Sequence, residues 1–241
     1  MNEVMRIQRF GTTQTAAEAL EQALRNEFTL FPASRHRGVM LAGGRTPLQV
    51  YNNIAAQPPA PGFTGYLILS DERYVPTSDA QANVKQLAPL IAALDLSQDR
   101  VICPPTDLPL PDATAAYGAQ FDRLITQHVE LSLGILGIGS DGHTASLFTV
   151  EQTDGGMPTD ASWAQNTGMY QGTERISLSA RALLSFQRLI FFVTGEEKRE
   201  ILAQLLTRPE DFPAGRIITA HGNAEIWTDV APEGVGHEYI P

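Results

Sequence analysis

One histidine in the sequence stands in a setting suited to proton transfer. His143 lies in LGILGIGSDGHTASLF, just after an apolar run, with Asp141 and Gly142 before it and Thr144 behind it. A neighbouring carboxylate can orient an imidazole. The pattern predicts a helix starting near His143, and a helix N-terminus favours the neutral imidazole, which can act as a base. A lone histidine is more often structural, but one flanked by Asp and Gly at a strand's end favours function. Two competing readings of the segment fail. Gly137, Gly139 and Gly142 satisfy G-x-G-x-x-G, but the dinucleotide fingerprint needs a helix and then a strand ending in an acid about 20 residues on. Here a polar stretch follows, and Asp160 sits in no strand pattern. Ser140 resembles a nucleophile elbow, but that elbow needs Gly where Ile138 stands.

Three further segments carry groups that could hold an anion, each directly after an apolar run. In GVMLA-GGRTP, Gly43 and Gly44 allow a sharp turn and close backbone approach, Thr46 offers a hydroxyl, Arg45 adds a cation, and Pro47 suits the start of a helix. Backbone N–H groups at a helix N-terminus make an anion site; a plain tight turn between strand and helix is an equal reading. In YLILS-DERYVP, Asp71, Glu72 and Arg73 follow a strand together with an aromatic, which modestly favours a site over an Arg73 paired with its own neighbours. In LIFFVTG-EEKREIL, Lys198 falls in the predicted first turn of a helix. The helix dipole disfavours a cation there, so it points to a nearby anion, with a solvated lysine as the plainer alternative.

These segments need a scaffold that brings strand ends together. Strand-length apolar runs alternate with stretches of helical period. Strands are predicted at Val4–Phe10, Gly38–Ala42, Tyr66–Ser70, Val101–Cys103, Leu133–Ile138, Leu189–Thr194 and Ala224–Thr228. Helices are predicted at Thr13–Leu30, from Pro47, at Asn83–Leu94 with a kink or split at Pro89, at Asp112–Val129 and at Glu196–Thr207. Ile176–Leu184 is ambiguous, and Glu151–Gly168 reads as a long loop, which is usually functional or mobile. Continuous apolar strands alternating with helices predict an α/β fold in one domain over 1–241: doubly wound, a mostly parallel sheet with helices on both faces. Ligands of such sheets bind beyond the carboxyl ends of the strands, where all four segments fall.

Composition sets limits. No apolar run approaches the roughly 20 residues of a membrane span, and the first residues carry no secretory pattern. A lone Cys103 fits a reducing compartment, so the expected location is cytoplasmic. The net charge of −10 argues against nucleic acid and requires any cations for an anionic ligand to be gathered locally. His36, His128, His221 and His237 sit in polar contexts as surface residues, and no pair has metal-ligand spacing, so no metal is expected. Trp163 and Trp227 read as packing residues and Cys103 as a buried small residue.

DGHTASLF after a Gly-rich strand end strongly resembles the 6-phosphogluconolactonase family. GGRTP is similar to that family's GG-S-T-P turn, DERYVP to its DER-x-V-P segment with Asn83 matching the following Asn, ERISLSARALL to its R-I-T-L segment, and VTGEEK to its G-x-x-K. The order matches from about Ala42 to the final strand. Departures are Arg45 for a small residue, Ala82 for Ser, Thr149 for Pro and Ser179 for Thr. The resemblance implies a sugar-phosphate isomerase-like (Rossmann-like) fold and hydrolysis of 6-phospho-D-glucono-1,5-lactone without a cofactor. On it, His143 is the general base, Asp141 orients it, and Arg73 stabilises the oxyanion or holds sugar hydroxyls. Gly43, Gly44, Arg45, Thr46 and Lys198 hold the phosphate, with Asp71 and Arg175 as further substrate contacts. The expected partner is a small sugar-phosphate lactone, with no nucleic acid and no membrane, for a monomer or small homo-oligomer. Two rivals remain. An amino-sugar-phosphate deaminase or isomerase would carry Glu where Phe148 stands, and a non-catalytic sugar-phosphate regulator would have no use for His143 beside Asp141.

Overall fold

The computed structural model describes residues 5–29, 36–59, 63–153 and 162–231. In chain order the elements are β1 (Arg6–Arg9), α1 (Thr13–Thr29), β2 (Arg37–Leu41), α2 (Arg45–Ala56), β3 (Tyr66–Leu69), β4 (Asp71–Arg73), α3 (Asn83–Ala93), β5 (Val101–Ile102), α4 (Leu110–Thr126), β6 (Glu130–Leu136), β7 (Ala164–Tyr170), β8 (Thr173–Leu178), α5 (Ala180–Leu183), β9 (Arg188–Phe192), α6 (Arg199–Thr207), α7 (Pro213–His221) and β10 (Ala224–Thr228). Seven strands form a parallel sheet in the order β1-β10-β9-β6-β2-β3-β5. A separate antiparallel sheet has the order β4-β8-β7.

Strand alternation splits the core into two layers. Val39 and Leu41 of β2, Leu67 and Leu69 of β3, Leu133 and Ile135 of β6 and Ile190 and Phe192 of β9 face α1, α2 and α3. Met40, Ile68, Leu189 and Phe191 face the opposite layer, built on α4, α6 and α7 and the small sheet's Ile176 and Leu178. Fully burying each such side chain stabilises the fold by about 1.5–3 kcal/mol. The chain winds outward from β2 to β3 and β5, then returns past β2 to β6 and winds the other way to β9 and β10. Right-handed crossovers place helices on one face for one direction and on the other face for the reverse. The order therefore reverses between β2 and β6, which leaves a crevice beyond their carboxyl ends.

Local expectations needed correction in several places. No helix begins at His143: the chain makes a tight turn closed by a Thr144–Leu147 bridge, so no helix dipole acts on the ring. The expected loop Glu151–Gly168 holds a single 3-10 turn over Val150–Thr153 and most of strand β7, while 154–161 lie outside the described residues. The ambiguous Ile176–Leu184 is the end of β8 followed by α5. Lys198 ends a 3-10 turn over Glu196–Lys198 and is the N-cap of the helix that starts at Arg199, so it stands at that helix's N-terminus rather than inside its first turn. Helix α3 runs unbroken through Pro89. Helix α7 had no counterpart in the sequence reading. His221 is half-buried, its Nε2 against the Phe186 carbonyl at 2.7 Å, and Cys103 is half-buried rather than buried; His237 lies outside the described residues.

Candidate active site

Two buried tyrosines fix the strand ends that open the crevice. The Tyr51 hydroxyl donates to the Ala42 carbonyl at 3.2 Å and the Tyr117 hydroxyl to the Leu69 carbonyl. Burial holds both phenols far above their ordinary pKa, so they remain donors. Beyond these ends lies a cleft of about 470 Å³. Of the residues singled out from sequence, Gly43, Gly44, Arg45, Thr46, Asp71, Arg73, His143, Arg175 and Lys198 all line it, and Asp141 stands behind His143.

One side of the cleft is built on the turn after β2. A Cβ on Gly43 would lie 2.0 Å from Asn83 Oδ1, so only glycine lets the turn pack on that side chain. Gly44 caps α2 with φ 108° and no side chain caps the helix; the first intrahelical bond runs from Leu48 N–H to the Gly44 carbonyl. The amides of Arg45 and Thr46 are thus the helix's early unbonded donors. Lys198 reaches the same cleft from beyond β9, its Nζ donating to the Ile138 carbonyl at 2.7 Å. It is not a freely solvated lysine.

The small sheet supplies another side. Arg73 on β4 stands opposite Arg175 on β8. Arg175 is 7% exposed and its buried Nη1 has no hydrogen-bond partner among the described residues. Burial, then the Arg73 charge, pulls Arg175 below the usual guanidinium range, which an anion between the two would relieve. Arg73 does not pair with its acidic neighbours; its Nη1 donates to the Gln81 carbonyl at 2.6 Å. Asp71, 8% exposed, accepts from the hydroxyls of Ser70 and Ser146, each at 2.6 Å. The second bond ties the start of β4 to the His143 turn.

Glu72 points away from the cleft and organises it from behind. Its carboxylate accepts backbone N–H bonds from Arg73, Asn83 and Val84 at 2.7, 2.6 and 2.8 Å, capping the exposed donors of α3. Burial outweighs these bonds and pushes its carboxyl up to about 7. The folded state therefore binds the proton more tightly than the unfolded chain. Stability from this group is full below the ordinary carboxylate range and is lost as pH rises through about 7. Wild-type protein is expected to lose about 3 kcal/mol more than Glu72→Gln between pH 5 and pH 8 in urea titrations. Parallel pH dependences of the two proteins would contradict this.

A further side of the cleft is the turn after β6. His143 Nδ1 meets Asp141 Oδ1 at 2.5 Å, and the same oxygen accepts the His143 backbone N–H at 3.2 Å. Burial works against the Asp141 charge, but the imidazole beside it and the bonds it accepts win and hold its carboxyl below the usual range. An ionised Asp141 at Nδ1 leaves Nε2 as the ring nitrogen able to take a proton. Sequence reasoning missed Tyr170, Gln171 and Ser146 as cleft residues. Tyr170 and Gln171 went unseen because the segment before them read as loop; the signal was the Gln-Gly pair ahead of an alternating strand. Among the described residues, no group of three or more His, Cys, Asp or Glu is placed to hold a metal.

An open parallel α/β sheet with its cleft at the strand-order reversal defines the class: a doubly wound α/β protein that binds a small ligand beyond its strand ends. Comparison with known proteins narrows it. Residues 8–227 match the model of the family described as glucosamine-6-phosphate isomerases/6-phosphogluconolactonase. A 6-phosphogluconolactonase of Thermotoga maritima is 34% identical over 169 residues, 70% of this chain and 74% of that protein. One of Haemophilus influenzae is 28% identical over 92% of this chain and 96% of its own. The crystal structure of a Thermotoga maritima 6-phosphogluconolactonase superposes with a TM-score of 0.74 at 27% identity, covering 93% of this chain and 98% of that one. The chain belongs to the glucosamine-6-phosphate isomerase/6-phosphogluconolactonase family.

Proposed function

We propose that the chain hydrolyses 6-phospho-D-glucono-1,5-lactone to 6-phospho-D-gluconate, the lactone-opening step of the oxidative pentose phosphate pathway. The observation that carries this is the meeting, in one cleft, of the His143–Asp141 pair with cations at Arg45, Arg73, Arg175 and Lys198. The names of the relatives point to the same reaction. His143 Nε2 takes a proton from water as its oxygen bonds to the lactone carbonyl carbon. Arg73 stabilises the resulting oxyanion. The bond from that carbon to the ring oxygen then breaks, and the imidazolium returns the proton to the leaving oxygen. The phosphate sits on the amides of the Gly43–Thr46 turn with Arg45 and Lys198, and Arg175 adds a contact. Asp71 keeps lone pairs for sugar hydroxyls. Phe148 lines the cleft where the ring-opening rival would need a carboxylate. Unpaired Cys103 fits a reducing compartment, so the proposal includes a cytoplasmic location. No helix among the described residues is long and apolar enough to cross a membrane.

The test is a coupled assay on freshly made lactone, with and without protein, at a pH where spontaneous hydrolysis is slow. Turnover well above the spontaneous rate is expected, with no ammonia released from glucosamine 6-phosphate. Tight binding of 6-phosphogluconate without lactone turnover would instead support the regulator.

A further inference from the structure

We infer that Tyr170 is a positioning residue for the proton-transfer pair, with its hydroxyl locking Asp141 and its ring walling in His143. The inference rests on the reading of His143 as the base. Asp141 uses Oδ1 for the imidazole and the His143 amide, and its Oδ2 accepts the Tyr170 hydroxyl at 3.1 Å. A carboxylate held at both oxygens cannot turn about its own axis without losing a bond, so the imidazole is offered one fixed acceptor. The Tyr170 ring is stacked on Phe148 at 4.1 Å between centroids and 11° between planes. The His143 ring stands edge-on to both, at 5.1 Å from Phe148 and 5.4 Å from Tyr170. The imidazole is thus bounded by aromatic faces as well as by its carboxylate.

The backbone makes Tyr170 a firm anchor. It is the last residue of β7 and pairs with Thr173 across a two-residue turn. Both turn residues, Gln171 and Gly172, have positive φ, 51° and 83°, the pattern of the tight hairpin turn that matches strand twist. Strand β8 then pairs with β4, so one small sheet carries Tyr170, Arg175 and Arg73 to the cleft. The other charged groups lining the same cleft are Arg73 and Arg175 from that sheet, Asp71, Arg45 at the start of α2, and Glu197 and Lys198 from the 3-10 turn beyond β9. Of these, Arg175 acts on Tyr170 electrostatically. Burial and the Asp141 charge push the Tyr170 phenol up, so it stays a donor at neutral pH.

The test compares full-length wild type with Tyr170→Phe, which keeps the stacked ring and removes only the donor. The carboxyl carbon of Asp141, assigned by its absence in Asp141→Asn, is titrated by NMR. Its midpoint is expected to rise in Tyr170→Phe, because the ionised form has lost a donor. In the lactone assay kcat is expected to fall about tenfold while KM holds within about twofold. Restoring a donor with the ring retained, as in Tyr170→Trp, does not reproduce the geometry, so Phe148→Leu serves as the second variant: the hydroxyl remains and the Asp141 midpoint stays near wild type. An Asp141 midpoint unmoved in Tyr170→Phe overturns the inference, as does a wild-type kcat in that variant. A moved midpoint in a protein whose wild type opens no lactone leaves the lock standing and removes the proposed reaction.

Discussion

Replacing His143 by Ala lowers kcat by about 10²–10⁴-fold, the usual contribution of a general base, and leaves KM nearly unchanged. The size follows from what else the cleft holds. Asp71 already accepts two serine hydroxyls, Tyr170 is kept protonated by burial and by Asp141, and Lys198 is engaged with the Ile138 carbonyl. None of these replaces the imidazole held beside Asp141. The proposed phosphate contacts lie on other elements, chiefly the start of α2, and survive the substitution. Steady-state kinetics with the spontaneous rate subtracted will show the split. A near-normal kcat in His143→Ala would refute the role.

Gly139→Ala is expected to cost about 10²-fold in kcat, the scale of an ångström of misplacement at a reacting group. A Cβ there would lie 2.2 Å from both Cε1 and Nδ1 of His143 and 2.6 Å from Asp141 Oδ1. Those atoms belong to side chains at a cleft surface, so they can yield where backbone could not. The protein therefore folds, and the rings and carboxylate move instead. The expected signature is an intact thermal transition, a KM within a few-fold of wild type and a depressed kcat. Full activity would mean that the imidazole does not need the space against the Gly139 backbone.

The inner strands β2, β3, β6 and β9 were legible because they are buried on both faces and read as mostly apolar runs. Ala224–Thr228 matches β10 residue for residue, and the site segments were found because glycines and charges follow those runs directly. What escaped lies at the small sheet and beneath the His143 turn. Strand β7 has only Ala164 fully buried, so its sequence AQNTGMY lacks alternation and the register shift beside Gly168 disguises it further. Helix α7 was missed, although it backs the His143 turn: Ala214 N–H bonds the Gly142 carbonyl at 3.1 Å. The helix expected at His143 failed because the segment uses its polar groups locally. Thr144 Oγ1 closes on the Gly137 carbonyl at 2.9 Å and the Gly139 amide on the His143 carbonyl at 2.9 Å. Such local competition leaves no periodic trace.

The pairing of β1 with β10, from Arg6↔Glu225 to Arg9↔Thr228, has a bearing on biosynthesis. A ribosome delivers β1 long before its partner β10. Until β10 emerges, β1 has no ladder to join, and α1, which follows it, has only part of its bed. The rim of the sheet can shut only once β10 has left the ribosome.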